Sequence, residues 1–171
     1  RPDDAVAVGD RWLWIDRHAL PEVARQRQAP LRQLLEQVPE LSALVVRRAT
    51  PEDLVAGAEM RPGHDGVGRT WCEILLSGDL VRSVDHEAAH VVQLGARLRK
   101  AGSMRAVTAS ATPRQRWIDE AIAEVVERMP YEVGPGSRHT YVTVTQLAAR
   151  VVLQSTGERR GRLGRGLLVA G

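Results

Sequence analysis

The chain has one cysteine, one lysine and no long apolar run, and each scarcity closes off a class of explanation. With Cys72 alone, no intrachain disulfide frames the fold, and the redox compartment stays open. A membrane span needs roughly 18–20 consecutive apolar residues, and none of the 171 residues belongs to such a run, so no membrane-spanning segment is expected. Lys100 is the only lysine among 24 basic residues, and the net charge is +3. That is small for a protein built to neutralise phosphates, so no nucleic-acid partner is expected. The basic clusters Arg97, Arg99, Lys100 and Arg159, Arg160, Arg162, Arg165 read as solvated surface. There is neither an internal repeat nor a dividing linker, and the length suits one domain with a real core. The first residue is Arg1 rather than methionine, so the start is expected to be trimmed and no targeting signal is read from it.

What is present is patterned. Hydrophobic residues make up 43% and charged residues 26%, both ordinary for a globular domain. Residues 8–17, VGDRWLWIDR, alternate Trp12 and Trp14 against Leu13 and Ile15 and predict a strand. Leu31, Leu34, Leu35 and Val38 predict a helix from Leu20 onward, with Pro30 as a kink or break. Residues 41–49 read as a strand, Thr50 and Pro51 as a helix start, 60–70 as a glycine-rich loop and 70–77 (TWCEILLS) as a strand. From Asp79, the stripe Leu80, Val84, Ala88, Val91, Leu94 predicts a helix, and 96–116 form a long connection rich in small residues. Thr112 and Gln115 are spaced as a capping box, with Pro113 at the first turn, for a helix that stops before Pro130. Its apolar face is Trp117, Ile118, Ala121, Ile122 and Val125. Two closing helices follow, the first ended by Gly157. The expected class is α+β: an N-terminal mixed β-sheet with helices over 1–95, then a mostly helical part over 96–171.

The segment SVDHEAAHVVQLG, residues 83–95, carries the chemistry. On a helix, positions i and i+4 lie about 40° apart and one turn along the axis, so His86 and His90 can present nitrogens to one ion. Glu87 lies about 100° round from His86, outside that ligand set but well placed to act on a water beside the ion. Zinc suits two imidazoles and a third protein ligand. In WIDEAIAEVVE, residues 117–127, Glu120 offers that ligand. Glu124, one turn on, offers a carboxylate to orient a ligating histidine. The competing explanation of both segments is a charged, solvated helix surface.

HEAAH followed by WIDEAIAE resembles the gluzincin metallopeptidases, in particular the peptidase MA-like group, whose second motif reads roughly W-L-x-E-G-x-A, and more distantly the thermolysin-type enzymes and related aminopeptidases. The resemblance implies a zincin-like fold, with His86, His90 and Glu120 as zinc ligands, Glu87 as general base and Glu124 as the orienting carboxylate. It further implies a peptide or protein substrate cleaved by a zinc-activated water, and it leans toward an extracytoplasmic bacterial enzyme. By comparison with the aminopeptidases, Tyr141 would stabilise the oxyanion, with His139 and Tyr131 as rivals and a plain core role for Tyr141 as the alternative. The 29 residues between His90 and Glu120 exceed the usual gap, so a larger loop or an extra helix is expected there. Residues 70–77 would be the edge strand along which substrate lies. Two other readings stand beside this one. Peptide deformylase also has HExxH with a cysteine ligand, but Cys72 is only 14 residues before His86. A zincin-like domain that binds partners without catalysis would have little use for Glu87.

Overall fold

Residues 8–17 form the turn and second arm of a hairpin rather than one strand. Val6–Val8 (β1) pairs antiparallel with Arg11–Ile15 (β2), and Gly9 makes the turn at φ 65. Glycine adopts that left-handed conformation without steric cost. The computed structural model describes residues 2–129 and 140–167, with side chains as far as 156. Leu41–Arg48 (β3), Ala58–His64 (β4) and Thr70–Leu76 (β5) complete a five-stranded mixed sheet of order β1-β2-β3-β5-β4. The pairs β2/β3 and β3/β5 are parallel, and both outer strands run antiparallel to their neighbours. The molecule is α+β, this sheet coming first and a mostly helical region after it.

Alternation along the strands sends Leu13, Ile15, Leu44, Val46, Cys72, Ile74 and Leu76 into one core. Pro21–Gln37 (α1) and Val81–Ala101 (α2) cover that face with Val23, Leu31, Leu34, Leu35, Val84, Ala88, Val91 and Leu94. Burying a side chain of this kind contributes about 1.5–3 kcal/mol. Helix α1 is not broken at Pro30 but continues through it, because the anchors on both sides are fully buried. Packing there outweighs one missing backbone bond. The opposite face carries Trp12, Trp14, Val45 and Trp71, and a hollow of about 930 Å3 lies on it.

Several expectations are corrected by pairing partners that lie far off in sequence. Residues 60–70 are not a loop: β4 extends to His64, and Gly63 is needed because a β-carbon there would sit 2.3 Å from the Trp71 ring. Residues 70–77 are not an edge strand, since β5 lies between β3 and β4; the edge on that side is β4. The Thr50–Asp53 capping box forms, yet only a single 3-10 turn, Pro51–Asp53, follows before Leu54 turns the chain at φ 55. The 96–116 connection is helical: α2 continues to Ala101, Met104–Ser110 forms α3, and Pro113–Arg128 forms α4. Helix α3 is the extra element that the long gap before Glu120 required. Tyr141–Leu167 (α5) is one helix that passes Gly157, not two.

The backbone of β4 has a definite free side. Ser77 N–H donates to Gly57 O at 2.7 Å, so the odd-numbered residues exchange bonds with β5. The N–H and C=O groups of Ala58, Met60 and His64, and the C=O of Pro62, therefore point outward. Pro62 fits there because the outward position needs no donor.

Two carboxylates fix the backbone, one across a long stretch of sequence and one locally. Asp79, just before α2, accepts from the backbone N–H groups of Glu22 and Val23 at 2.8 and 2.9 Å, and so caps α1, whose own N-cap is Leu20. Asp79→Ala is expected to lower stability by about 1–2 kcal/mol in urea unfolding. Asp53 is held by Arg47 at 2.8 and 3.0 Å and by the Thr50 N–H at 2.7 Å, and these hydrogen bonds, with Arg47 foremost, hold its carboxyl well below the ordinary value. A depressed folded-state pKa stabilises the fold above the unfolded value and loses that effect as pH falls. Asp53→Asn should therefore flatten the acid limb of the stability profile below the ordinary value of 3.8, measured by urea midpoints from pH 6 to pH 2.

Candidate metal centre

Helices α2 and α4 pack antiparallel, which the side-chain pairs along them establish. His86 on α2 faces Glu127 on α4, whereas Gln93, two turns later, reaches the carbonyl of Asp119 at 3.1 Å. Between these contacts His86, His90 and Glu120 converge. The two Nε2 atoms are 3.3 Å apart, and the Glu120 oxygens lie 3.5 Å from His86 Nε2 and 3.6 Å from His90 Nε2. All the candidate ligand atoms lie within 4.8 Å of one another. Tetrahedral bonds of about 2.0–2.1 Å imply ligand separations of about 3.3–3.4 Å, close to the observed triangle.

The outer nitrogens decide which way the rings present their lone pairs. His86 Nδ1 is 3.3 Å from a Glu127 oxygen, and His90 Nδ1 is 2.9 Å from Gln93 Oε1. Both partners are acceptors, so a hydrogen on each Nδ1 suits them and leaves each Nε2 free to turn a lone pair toward an ion. Two lone pairs and a carboxylate directed at one point repel one another unless a cation lies between them. The histidine side chains are 19% and 15% exposed, which leaves them restrained but reachable.

Glu87 sits beside this triangle, 6% exposed, and accepts a hydrogen bond from the outward-facing N–H of Met60 on β4. Burial pushes its carboxyl above the ordinary range; Glu120 and Glu59 add to that, while His90 and the Met60 N–H oppose it. A buried carboxylate whose affinity for protons is raised can take up a proton and return it. The cleft, about 380 Å3, is lined by Ala58, Glu59 and Met60 from the sheet edge and by side chains of α2 and α4.

Not every expected residue joins the site. Glu124 points into solvent and, among the described residues, meets only Arg128, at 3.5 Å; the carboxylate behind a histidine is Glu127. Residues seven apart share a helical stripe, about 20° off after two turns, so Glu127 follows Glu120 down the face that meets α2. Trp117, expected on the apolar side, is 58% exposed; Ile122 is buried as expected, with Ala123 and Val126 buried beside it. Gln115 donates to Asp119 at 3.0 Å rather than closing the capping box, although Thr112 accepts from the Gln115 N–H as expected. Cys72 is fully buried on the core face with its thiol pushed up to about 12 by burial, away from the cleft. His18 is exposed, and His64 borders a different hollow, beside Leu98 and Met104. Tyr131 and His139 lie outside the described residues.

Tyr141 is also elsewhere. It is fully buried, and its hydroxyl donates to Asp85 Oδ1 at 2.6 Å. Asp85, 4% exposed, also takes a two-point contact from Arg27 at 2.7 and 2.8 Å. This knot joins α1, α2 and α5 one residue before His86, and it is the polar feature that sequence reasoning missed; the only signal was an acidic residue within an apolar stripe. A tyrosine engaged there stabilises the core rather than an oxyanion in the cleft. Tyr141→Phe should cost about 1–2 kcal/mol in urea unfolding, and Asp85→Ala about 3–5 kcal/mol because it removes the buried carboxylate that Arg27 and Tyr141 both contact. Comparison with family models, curated protein sequences and solved structures finds no match for this chain.

Proposed function

We propose that the chain is a zinc-dependent peptidase of zincin-like fold, with His86, His90 and Glu120 as the metal ligands and Glu87 as the general base. The observation that carries this reading is the convergence of two imidazole Nε2 atoms and one carboxylate, at 3.3, 3.5 and 3.6 Å. When bound, zinc supplies Lewis acidity, which makes water nucleophilic near neutral pH and polarises a carbonyl.

The protein groups supply the rest. Glu87 takes the proton of the attacking water and returns one to the departing amine, and its raised affinity for protons suits both transfers. Glu127 and Gln93 hold the two imidazoles in the tautomer that ligation requires. The outward backbone of β4 favours an extended peptide as substrate: Ala58 N–H and Met60 C=O border the cleft, and an extended chain can pair with such an edge.

Elemental analysis and peptide-library cleavage test the reading together. Wild type should hold about one zinc per chain and cleave peptides. Glu120→Ala should lose most of the metal. Glu87→Ala should keep the metal and lose at least about a hundredfold in kcat/KM. A wild type that takes no zinc after reconstitution overturns the ligand set. One that takes zinc and cleaves no peptide leaves a zincin-like binding domain.

A further inference from the structure

We propose that Arg116 makes the cleft selective for peptides bearing a carboxylate close to the cleaved bond, an inference that rests on the peptidase reading above. It follows from the charges that line the cleft. Besides the two histidines these are Glu59, Glu87, Arg97, Arg116, Asp119 and Glu120. Glu59 is paired with Arg61 at 2.8 Å. Asp119 is met by the Arg97 guanidinium and by Gln115 at 3.0 Å. Glu87 is bonded to the Met60 N–H, and Glu120 converges with the histidines. Among the described residues, no carboxylate lies within 4.0 Å of the Arg116 guanidinium, and its side chain has no hydrogen-bond partner. A dication would be balanced by Glu87 and Glu120, so Arg116 is the charge left over in the cleft.

Its position gives that charge a task. Arg116 stands four residues before Glu120 on α4, one turn away and about 40° round, so both side chains face the same hollow. A guanidinium presents donors in a planar fork that matches a carboxylate at two points. In a peptide that carboxylate is either an Asp or Glu side chain or the free C-terminus. Because Arg116 is exposed, the contact is partly screened and its effect is moderate.

The test uses the zinc-loaded protein and a peptide chosen from the library, made in four matched forms: Glu or Gln beside the cleaved bond, each with a free or an amidated C-terminus. Wild type should prefer the carboxylate-bearing forms by about tenfold in kcat/KM, and the preference should shrink as salt rises. A preference that follows Glu over Gln identifies a side-chain carboxylate; one that follows the free terminus identifies the C-terminal group. Arg116→Ala should bring the preference ratio to about one, Arg116→Lys should restore part of it and Arg116→Glu should reverse it, all three with wild-type zinc content. Equal cleavage of all four peptides by wild type overturns the proposal. So does a ratio unchanged in Arg116→Ala, or a uniform fall in kcat for every peptide, which would mean a role in the chemistry common to all. A wild type without zinc or without cleavage fails at the earlier step, separately visible, and takes this proposal with it.

Discussion

The buried contact between Arg27 and Asp85 sets the rotation of α2, and the candidate centre depends on that rotation. A carboxylate in the interior without its partner costs several kcal/mol, so Asp85 must face α1, where Arg27 meets it in a two-point contact and Tyr141 adds a third bond. Each residue along a helix advances about 100°. With Asp85 fixed, His86, His90, Gln93 and Arg97 fall within one sector, turned toward α4, while Glu87 falls toward β4 and Ala88 toward the sheet. One helix thus distributes three tasks among three neighbours.

The antiparallel course of α4 then sorts its acidic residues. Glu120 meets both histidines, Glu127 meets only His86, and Asp119 takes Arg97 and gives its carbonyl to Gln93. The two imidazoles are consequently held by different partners, one by a carboxylate and one by an amide. Charge on the partner raises the donor strength of the ring it touches, so the histidines are unequal donors although the motif treats them alike.

What could be read from the sequence was whatever a single helix decides for itself. The spacing of His86 and His90, the place of Glu87 and the cap at Thr112 depend on residues within one turn, and the α+β order follows from periodicity. The meeting of Glu120 with the histidines was reached through the pattern of its own helix. Glu124 and Glu127 could not be separated that way, because the choice depends on the direction in which α4 crosses α2. Tyr141 carried no local sign that a buried carboxylate 56 residues away would take its hydroxyl. Pro62 and Gly63 signal a loop locally, yet pairing with β5 makes them strand. The cap of α1 comes from Asp79, beyond any window centred on Leu20.

The outward side of β4 also bears on self-association. An exposed strand edge is a template on which another copy can grow the sheet, and natural proteins interrupt such edges with proline and charge. Of the four outward residues Ala58, Met60, Pro62 and His64, one has no N–H and another has its N–H engaged by Glu87. Glu59 and Arg61 set a charged pair in the same stretch. Such an edge can hold a few residues of an extended chain near Ala58 and Met60, but it lacks the unbroken row of donors that a long added strand needs. The edge that borders the cleft is thus open to a short guest and closed to polymerisation.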